Sequence, residues 1–176
     1  THGMAHALET ILEAAGRMGQ RVGGDTYRFI LLGNGARKQE LVEAAGRMGL
    51  TNVIFIDSVP KSEVARYWSL LDASIIHLKK TELFTTVIPS KLFECMGMGI
   101  PVLHGVAGES AGIVEREGVG LVFEPENGGE LCEKLEVLRQ DKALYQKCHE
   151  NCLAAARRYD RSALAGRMLK ILEDIC

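Results

Sequence analysis

Residues 27–56 read YRFILLGNGARKQELVEAAGRMGLTNVIFI, and this stretch decides the fold. Tyr27 to Gly33 is a short, continuous apolar run closed by glycine, the pattern of a strand buried on both faces of a parallel sheet. Asn52 to Ile56 (NVIFI) repeats it. Between the two, Leu41, Val42, Ala45 and Met48 share one face of a helix. A strand, a crossover helix and a second strand at this interval form a right-handed parallel unit.

The alternation continues on either side. Asp72 to Leu78 (DASIIHL), Pro101 to His104 (PVLH) and Gly120 to Phe123 (GLVF) add three strands. The apolar stripe Leu8, Ile11, Leu12, Ala15 marks a helix before the quoted stretch, and Val64, Tyr67, Trp68, Leu71 marks another after it. From Gly129 the chain reads as helices alone, over Glu130–Arg139, Lys142–Tyr159 and Ser162–Ile175, the last with an apolar face of Leu164, Met168, Ile171, Leu172 and Ile175. The expected fold class is α/β: a Rossmann-like doubly wound parallel sheet of five to six strands, with helices on both faces and a helical C-terminus. The hexapeptide AAGRMG, at Ala14–Gly19 and again at Ala44–Gly49, is expected to close a helix each time with glycine as the cap. The chain opens with a helix, Ala5 to Arg17, whereas a doubly wound sheet normally begins with a strand. Its first strand is therefore expected upstream of Thr1, in a longer parent protein.

Composition narrows the partners. With 176 residues, 47% hydrophobic and 25% charged, the chain is expected to form one globular domain over residues 1–176. Twenty-one Lys and Arg against 23 Asp and Glu give a net charge of −2, which argues against a nucleic-acid partner. No apolar run reaches the length of a membrane span and no signal-peptide pattern is seen. Cys95, Cys132, Cys148, Cys152 and Cys176 form an odd set, expected to be reduced thiols of a cytoplasmic chain. Cys148, His149 and Cys152 lack a fourth zinc ligand at a suitable spacing and are read as helix residues. His77 is read as a core or sheet-end histidine, and Arg157 with Arg158 as a solvated face.

In such a fold, ligands meet loops at the carboxyl ends of the strands, where helix N-termini attract phosphate. Three loops qualify: Gly33-Asn34-Gly35, Asp57-Ser58-Val59-Pro60, and Ile88-Pro89-Ser90-Lys91 before the helix that holds Glu94. The first, with Asp57 beyond the next strand, imitates a dinucleotide fingerprint, although Lys38 stands where the third glycine belongs. A nicotinamide-dependent oxidoreductase domain is thus one alternative, and a non-catalytic Rossmann-like binding domain another. In the third loop, Pro89 suits a first helical turn and Ser90 a cap, while Lys91 and Glu94 lie three apart on one helix face. A cation beside free amides can hold a diphosphate, and a carboxylate one turn deeper can accept hydrogen bonds from the vicinal hydroxyls of a ribose.

The order FILLGNG (Phe29 to Gly35), Asn52-Val53-x-Phe55, Val59-Pro60, PSKLFECMGMGIPVL (Pro89 to Leu103) and Glu115-x-x-Gly118-x-Gly120-Leu121-Val122 resembles the C-terminal domain of family 4 glycosyltransferases of the GT-B fold. The resemblance covers nearly the whole chain. It implies the donor-binding domain of a retaining glycosyltransferase that uses a nucleotide-diphospho-sugar, without a metal, in bacterial surface polysaccharide or glycolipid assembly. It also implies an absent N-terminal domain that receives a lipid-linked or sugar acceptor, and a peripheral position at the inner membrane through that domain. On this resemblance Lys91 and Glu94 carry the chemistry, Glu94 on the donor ribose and Lys91 on the diphosphate. Gly33, Gly35, Pro89, Ser90 and Leu92 surround the donor, and the backbone at Val59 meets the base. His6 stands near a position that the family gives to a diphosphate-clamping cation. The first glutamate of the family's usual pair is replaced by Thr86, and Glu82 lies four residues too early.

Overall fold

A computed structural model describes residues 2–21 and 26–175. The apolar runs become five short strands: β1 Phe29–Leu32, β2 Val53–Ile56, β3 Ser74–His77, β4 Val102–Gly105 and β5 Gly120–Val122. Eight helices accompany them among the described residues: α1 Glu9–Gly19, α2 Lys38–Arg47, α3 Val64–Trp68, α4 Lys91–Met98, α5 Glu109–Glu117, α6 Gly128–Gln140, α7 Lys142–Arg158 and α8 Arg161–Ile175. None of the helices is both long and apolar enough to cross a membrane. Helix α1 starts later than its stripe suggests, because Ala7 adopts a left-handed φ of 40° after a 3₁₀ turn at Met4–His6.

All pairings are parallel. β1 pairs with β2, with Phe29 opposite Val53, and β3, β4 and β5 form a second ladder with Ser74 opposite Val102 and Val102 opposite Gly120. The expected continuous sheet is therefore present as two parallel ladders, because among the described residues no backbone ladder joins β1 to β3.

Alternation along the strands sends side chains into two apolar layers. Leu103 and Phe123 join α1, α2 and α6 on one side, whereas Ile76, Val102 and Val106 join α4, α5 and α7 on the other. Every residue of β4 is buried, so this strand belongs to both layers at once. Burying each such Leu or Val contributes about 1.5–3 kcal/mol, which is why the central run carries no polar face.

The repeated hexapeptide has two outcomes. Gly49 takes a φ of 66° just past α2, the left-handed helix end that glycine favours. Gly19 instead remains inside α1, where a side chain would meet the Asn52 carboxamide at 3.4 Å. Asn52, 5% exposed, donates its Nδ2–H to the Ala15 carbonyl at 2.9 Å, so the start of β2 is tied to α1. Cys95, Cys132, Cys148 and Cys152 are buried free thiols, and Cys176 lies outside the described residues. Burial pushes the Cys95 and Cys152 thiols up to about 12, which keeps them protonated. Helix α7 lies along α4, with His149 Nδ1 at 2.6 Å from the carbonyl of Gly99, the left-handed residue that ends α4. Arg158 is not simply solvated: it pairs with Glu117, which also accepts a hydrogen bond from Tyr159.

One buried polar pair gives the fold a pH response. His104 Nε2 lies 2.8 Å from Ser110 Oγ with both residues fully buried, and burial pushes the imidazole down to about 4 from its ordinary 6.5. The unfolded histidine takes up a proton below 6.5 whereas the folded one does not, so stability is present above that pH and is lost as pH falls toward 4. Between about pH 7 and about pH 4.5 this one group removes about 2–3 kcal/mol. His104→Gln keeps a partner for Ser110 and cannot titrate. Urea denaturation at the two pH values should show a clearly smaller stability loss in that variant.

Candidate functional site

Within each ladder the strands run parallel, and the bonds from His2 N–H to the Asn34 carbonyl and from Lys79 N–H to the Ala5 carbonyl bring the carboxyl ends of β1 and β3 together, so the loops that could hold a ligand gather at one edge. Helix α4 begins at Lys91, with Ser90 at its N-cap. Lys91 and Glu94 are both exposed in its first turn. Among the described residues neither side chain has an ion-pair or hydrogen-bond partner. A glutamate in a first helical turn complements the helix dipole, whereas a lysine there opposes it, at about 0.3–1 kcal/mol each. Lys91 thus occupies a position that the helix alone disfavours, and an anion beside it would reverse that cost.

His6, Pro89, Lys91 and Glu94 line one cavity of about 820 Å³ at its carboxyl-edge mouth. His6 lies close enough to Lys91 for the lysine charge to lower its basicity, although burial is the larger cause. Four of the expected site residues are therefore brought together. Ser90 stands beside them, exposed, but its hydroxyl makes no capping bond, contrary to the expectation that it caps α4. Its backbone is in the αR region, with φ −57° and ψ −27°, whereas a capping side chain normally acts from an extended residue. Pro89 precedes the cap instead of sitting in the first turn, because the helix begins two residues later.

Leu92 requires a correction. Its side chain is fully buried in the core, and its N–H donates to the Pro89 carbonyl at 3.0 Å, so neither faces a ligand. The helical period explains this: Leu92 lies on the face of α4 that also buries Cys95 and Met96.

The glycine loop serves the backbone. Gly35 packs on the backbone of His2, where a Cβ would come within 2.6 Å, and Gly33 takes a φ of 128°. Val59 is half-buried in the loop beyond β2. Gly33, Gly35 and Val59 do not line the cavity that Lys91 and Glu94 share. Asp57, the acid a nicotinamide domain would use on ribose, receives a hydrogen bond from Lys38 Nζ at 2.5 Å, which holds its carboxyl below the usual range. The residue that displaces the fingerprint's third glycine thus also occupies its acid. Thr86 and Glu82 both lie exposed in the 3₁₀ segment Glu82–Thr86 and outside that cavity.

A second cluster at the same edge was not legible in the sequence. His77, 4% exposed at the end of β3, stacks on Phe123 with ring centroids 5.7 Å apart. Its Nδ1 lies 2.9 Å from the His6 carbonyl, and its Nε2 accepts the Glu126 N–H at 2.8 Å. That pattern requires a neutral ring with its proton on Nδ1, and burial lowers its basicity accordingly. Glu126 adopts a φ of 64° and also accepts the Lys80 N–H through Oε2 at 2.7 Å. Only a non-glycine residue found in the left-handed region reveals such a constraint, and no spacing signals it. The cluster joins the loops after β3 and β5 to the turn that presents His6. Cys148 and Cys152 are buried in the core, and His149 is engaged with Gly99, so that trio serves packing.

Comparisons with known proteins agree with this geometry. Residues 2–141 match the family described as glycosyl transferases group 1. The chain is 26% identical over 171 residues to alpha-D-kanosaminyltransferase of Streptomyces kanamyceticus, covering 96% of this chain and 42% of that protein. It therefore spans less than half of that relative's length. Among solved structures, Anabaena Alr3699/HepE in complex with UDP-glucose superposes with a TM-score of 0.77 at 20% identity, over 96% of this chain and 45% of that one. WaaG, a glycosyltransferase involved in lipopolysaccharide biosynthesis, superposes with a TM-score of 0.74 at 18% identity, over 95% of this chain and 43% of that one. On the match over residues 2–141, this chain belongs to the group 1 glycosyl transferases and has the architecture of a GT-B C-terminal domain.

Proposed function

We propose that this chain holds the nucleotide-diphospho-sugar donor of a retaining glycosyltransferase that builds bacterial surface polysaccharide or glycolipid. The observation that carries the reading is the pair Lys91 and Glu94, without an ion-pair or hydrogen-bond partner among the described residues, in the first turn of α4 at the mouth of a cavity on the carboxyl edge. Glu94 accepts hydrogen bonds from the ribose hydroxyls, and Lys91 faces the diphosphate. Negative charge that develops on the leaving diphosphate is stabilised by the Lys91 ammonium and the positive end of α4, with no metal required. A donor phosphate oxygen assists the incoming hydroxyl. His6 contributes a third polar group on the diphosphate side. The UDP-glucose seen in the Anabaena relative and the lipopolysaccharide role of WaaG support donor type and pathway class.

Transfer itself requires a second domain that brings the acceptor and excludes water, since catalysis depends on positioning both reactants. The chain alone should bind donor and transfer nothing to a lipid or sugar acceptor. Radiolabelled transfer measured on this chain and on a protein with its acceptor domain checks that expectation. The acceptor domain also supplies any contact with the cytoplasmic face of the inner membrane.

Two substitutions test the site. Glu94→Ala removes a charge-assisted hydrogen bond worth about 1.5–3 kcal/mol, so calorimetry should show a nucleoside diphosphate bound about 10–100-fold more weakly in a domain of unchanged stability. Equal affinity would remove Glu94 from the site. Lys91→Ala should weaken a nucleoside diphosphate far more than the corresponding nucleoside, because its partner is phosphate. Asp57→Ala should leave donor affinity within about twofold, since Asp57 is engaged with Lys38 on the surface. Tight NAD binding abolished by Asp57→Ala would replace the glycosyltransferase reading with the oxidoreductase one.

A further inference from the structure

Among the described residues, two that are not glycine take a left-handed backbone: Ala7, with a φ of 40°, and Glu126, with a φ of 64°. They lie far apart in the sequence and meet at one imidazole. His77 Nδ1 donates to the carbonyl of His6, the residue before Ala7, at 2.9 Å, and His77 Nε2 accepts the N–H of Glu126 itself at 2.8 Å. Residues with a side chain keep such conformations only where the surroundings hold them. Both nitrogens of His77 are thus engaged in holding strained turns.

The ring can hold them because its own position is fixed. It is 4% exposed, stacks on Phe123, and lies against Gly105 of β4, where a Cβ would come within 2.7 Å of its Cδ2. A leucine would fill the same slot without the cost of taking two polar nitrogens out of water. The histidine is explained by its two bonds and not by its volume. The turn that it holds carries His6, and the contact is reciprocal, since His6 Nδ1 lies 3.4 Å from the His77 carbonyl. The neighbouring bond, from the Lys79 N–H to the Ala5 carbonyl, is 2.9 Å long. His6 is in this way fastened to the end of β3 through both its backbone and its ring, at the cavity mouth where Lys91 and Glu94 stand. On the far side, Glu126 Oε2 accepts the Lys80 N–H, so the same ring also steadies the chain just beyond β3.

We propose that His77 is a positioning residue of the donor site, which sets the His6 imidazole beside Lys91 and so completes the diphosphate side of the mouth. The assignment rests on the donor reading for its ligand and on the two bonds for its geometry. The bond from Nδ1 to the His6 carbonyl places the His6 turn, and the bond at Nε2 holds the Glu126 turn. His77 itself touches no ligand and acts through His6.

Two substitutions separate the bonds. The carboxamide of His77→Asn places an N–H near the Nδ1 position and can still donate to His6, whereas that of His77→Gln reaches the Nε2 position and can still accept from Glu126. NMR titration of the His6 ring reports its closeness to Lys91, because the lysine charge holds its basicity down. Lys91→Ala should therefore raise the His6 midpoint in the unaltered chain and in His77→Asn, and leave it unmoved in His77→Gln. Calorimetry adds the ligand. His77→Gln should bind UDP about 3–10-fold more weakly and uridine equally well, and His77→Asn should recover most of that loss. A role in packing alone would lower stability in both variants and keep the His6 response to Lys91→Ala in both, which overturns the proposal. A His6 midpoint that ignores Lys91→Ala in the unaltered chain also overturns it, as does a measurable UDP affinity equal in all three chains. If His77→Gln does not fold, the other two chains decide. A proton on His77 Nδ1 in the unaltered chain, with the Lys91 response kept in His77→Asn, supports the proposal; a proton on Nε2, or a lost response, overturns it. The titration uses no donor, so its outcome is separate from that of the glycosyltransferase reading, which fails if the unaltered chain binds no UDP.

Discussion

Parallel strands cannot be joined by tight turns, and the rest of this structure depends on that constraint. Each strand must be followed by a crossover that returns the chain to the starting edge, and each crossover helix then begins at the carboxyl edge. Loops from distant parts of the sequence, at residues 33–35, 57–60, 88–91 and 105–108, are thereby delivered to one side of the molecule. The polar chemistry collects at this edge because the strands between are consumed by burial. β4, wholly buried, carries one polar side chain between Val102 and Gly105, the neutral His104 beside Ser110.

The first turn of α4 shows how a stability cost and a binding site coincide. A helix placed only for packing would begin with a capped hydroxyl and an acid. Here the hydroxyl of Ser90 makes no cap and a lysine occupies the first helical residue. Leu92, Cys95 and Met96 hold the helix from its other face. The core therefore supplies enough apolar burial to keep the first turn in place while its polar groups remain uncommitted.

The fold was legible because its signals are local. Continuous runs such as NVIFI and PVLH, and stripes such as Leu8, Ile11, Leu12, identify buried strands and half-buried helices from period alone. The side on which Lys91 and Glu94 emerge followed from the same arithmetic. The burial of Leu92 follows from it too, since the helical period turns this residue inward although it adjoins Lys91 in the motif. The loss of a cap at Ser90 depends on backbone angles, and the engagement of Asp57 by Lys38 on a contact across a loop; residue types report neither. The cluster of His6, His77 and Glu126 joins segments 71 and 49 residues apart, so only the assembled edge reveals it.

The contact between His149 and Gly99 has a mechanical consequence for α4. The helix is gripped at its far end by an imidazole from α7, at a residue where even a methyl group would come within 2.7 Å of that ring. It is open at its near end, where Lys91 and Glu94 stand. Its tip, the first turn, is held from beneath by buried Leu92 and its root by the His149 grip, so a change at Lys91 or Glu94 leaves the register of the buried face intact. Variation among related chains at the tip can retune which ligand is held without disturbing the core, whereas a side chain at Gly99 displaces the root and moves every tip residue together.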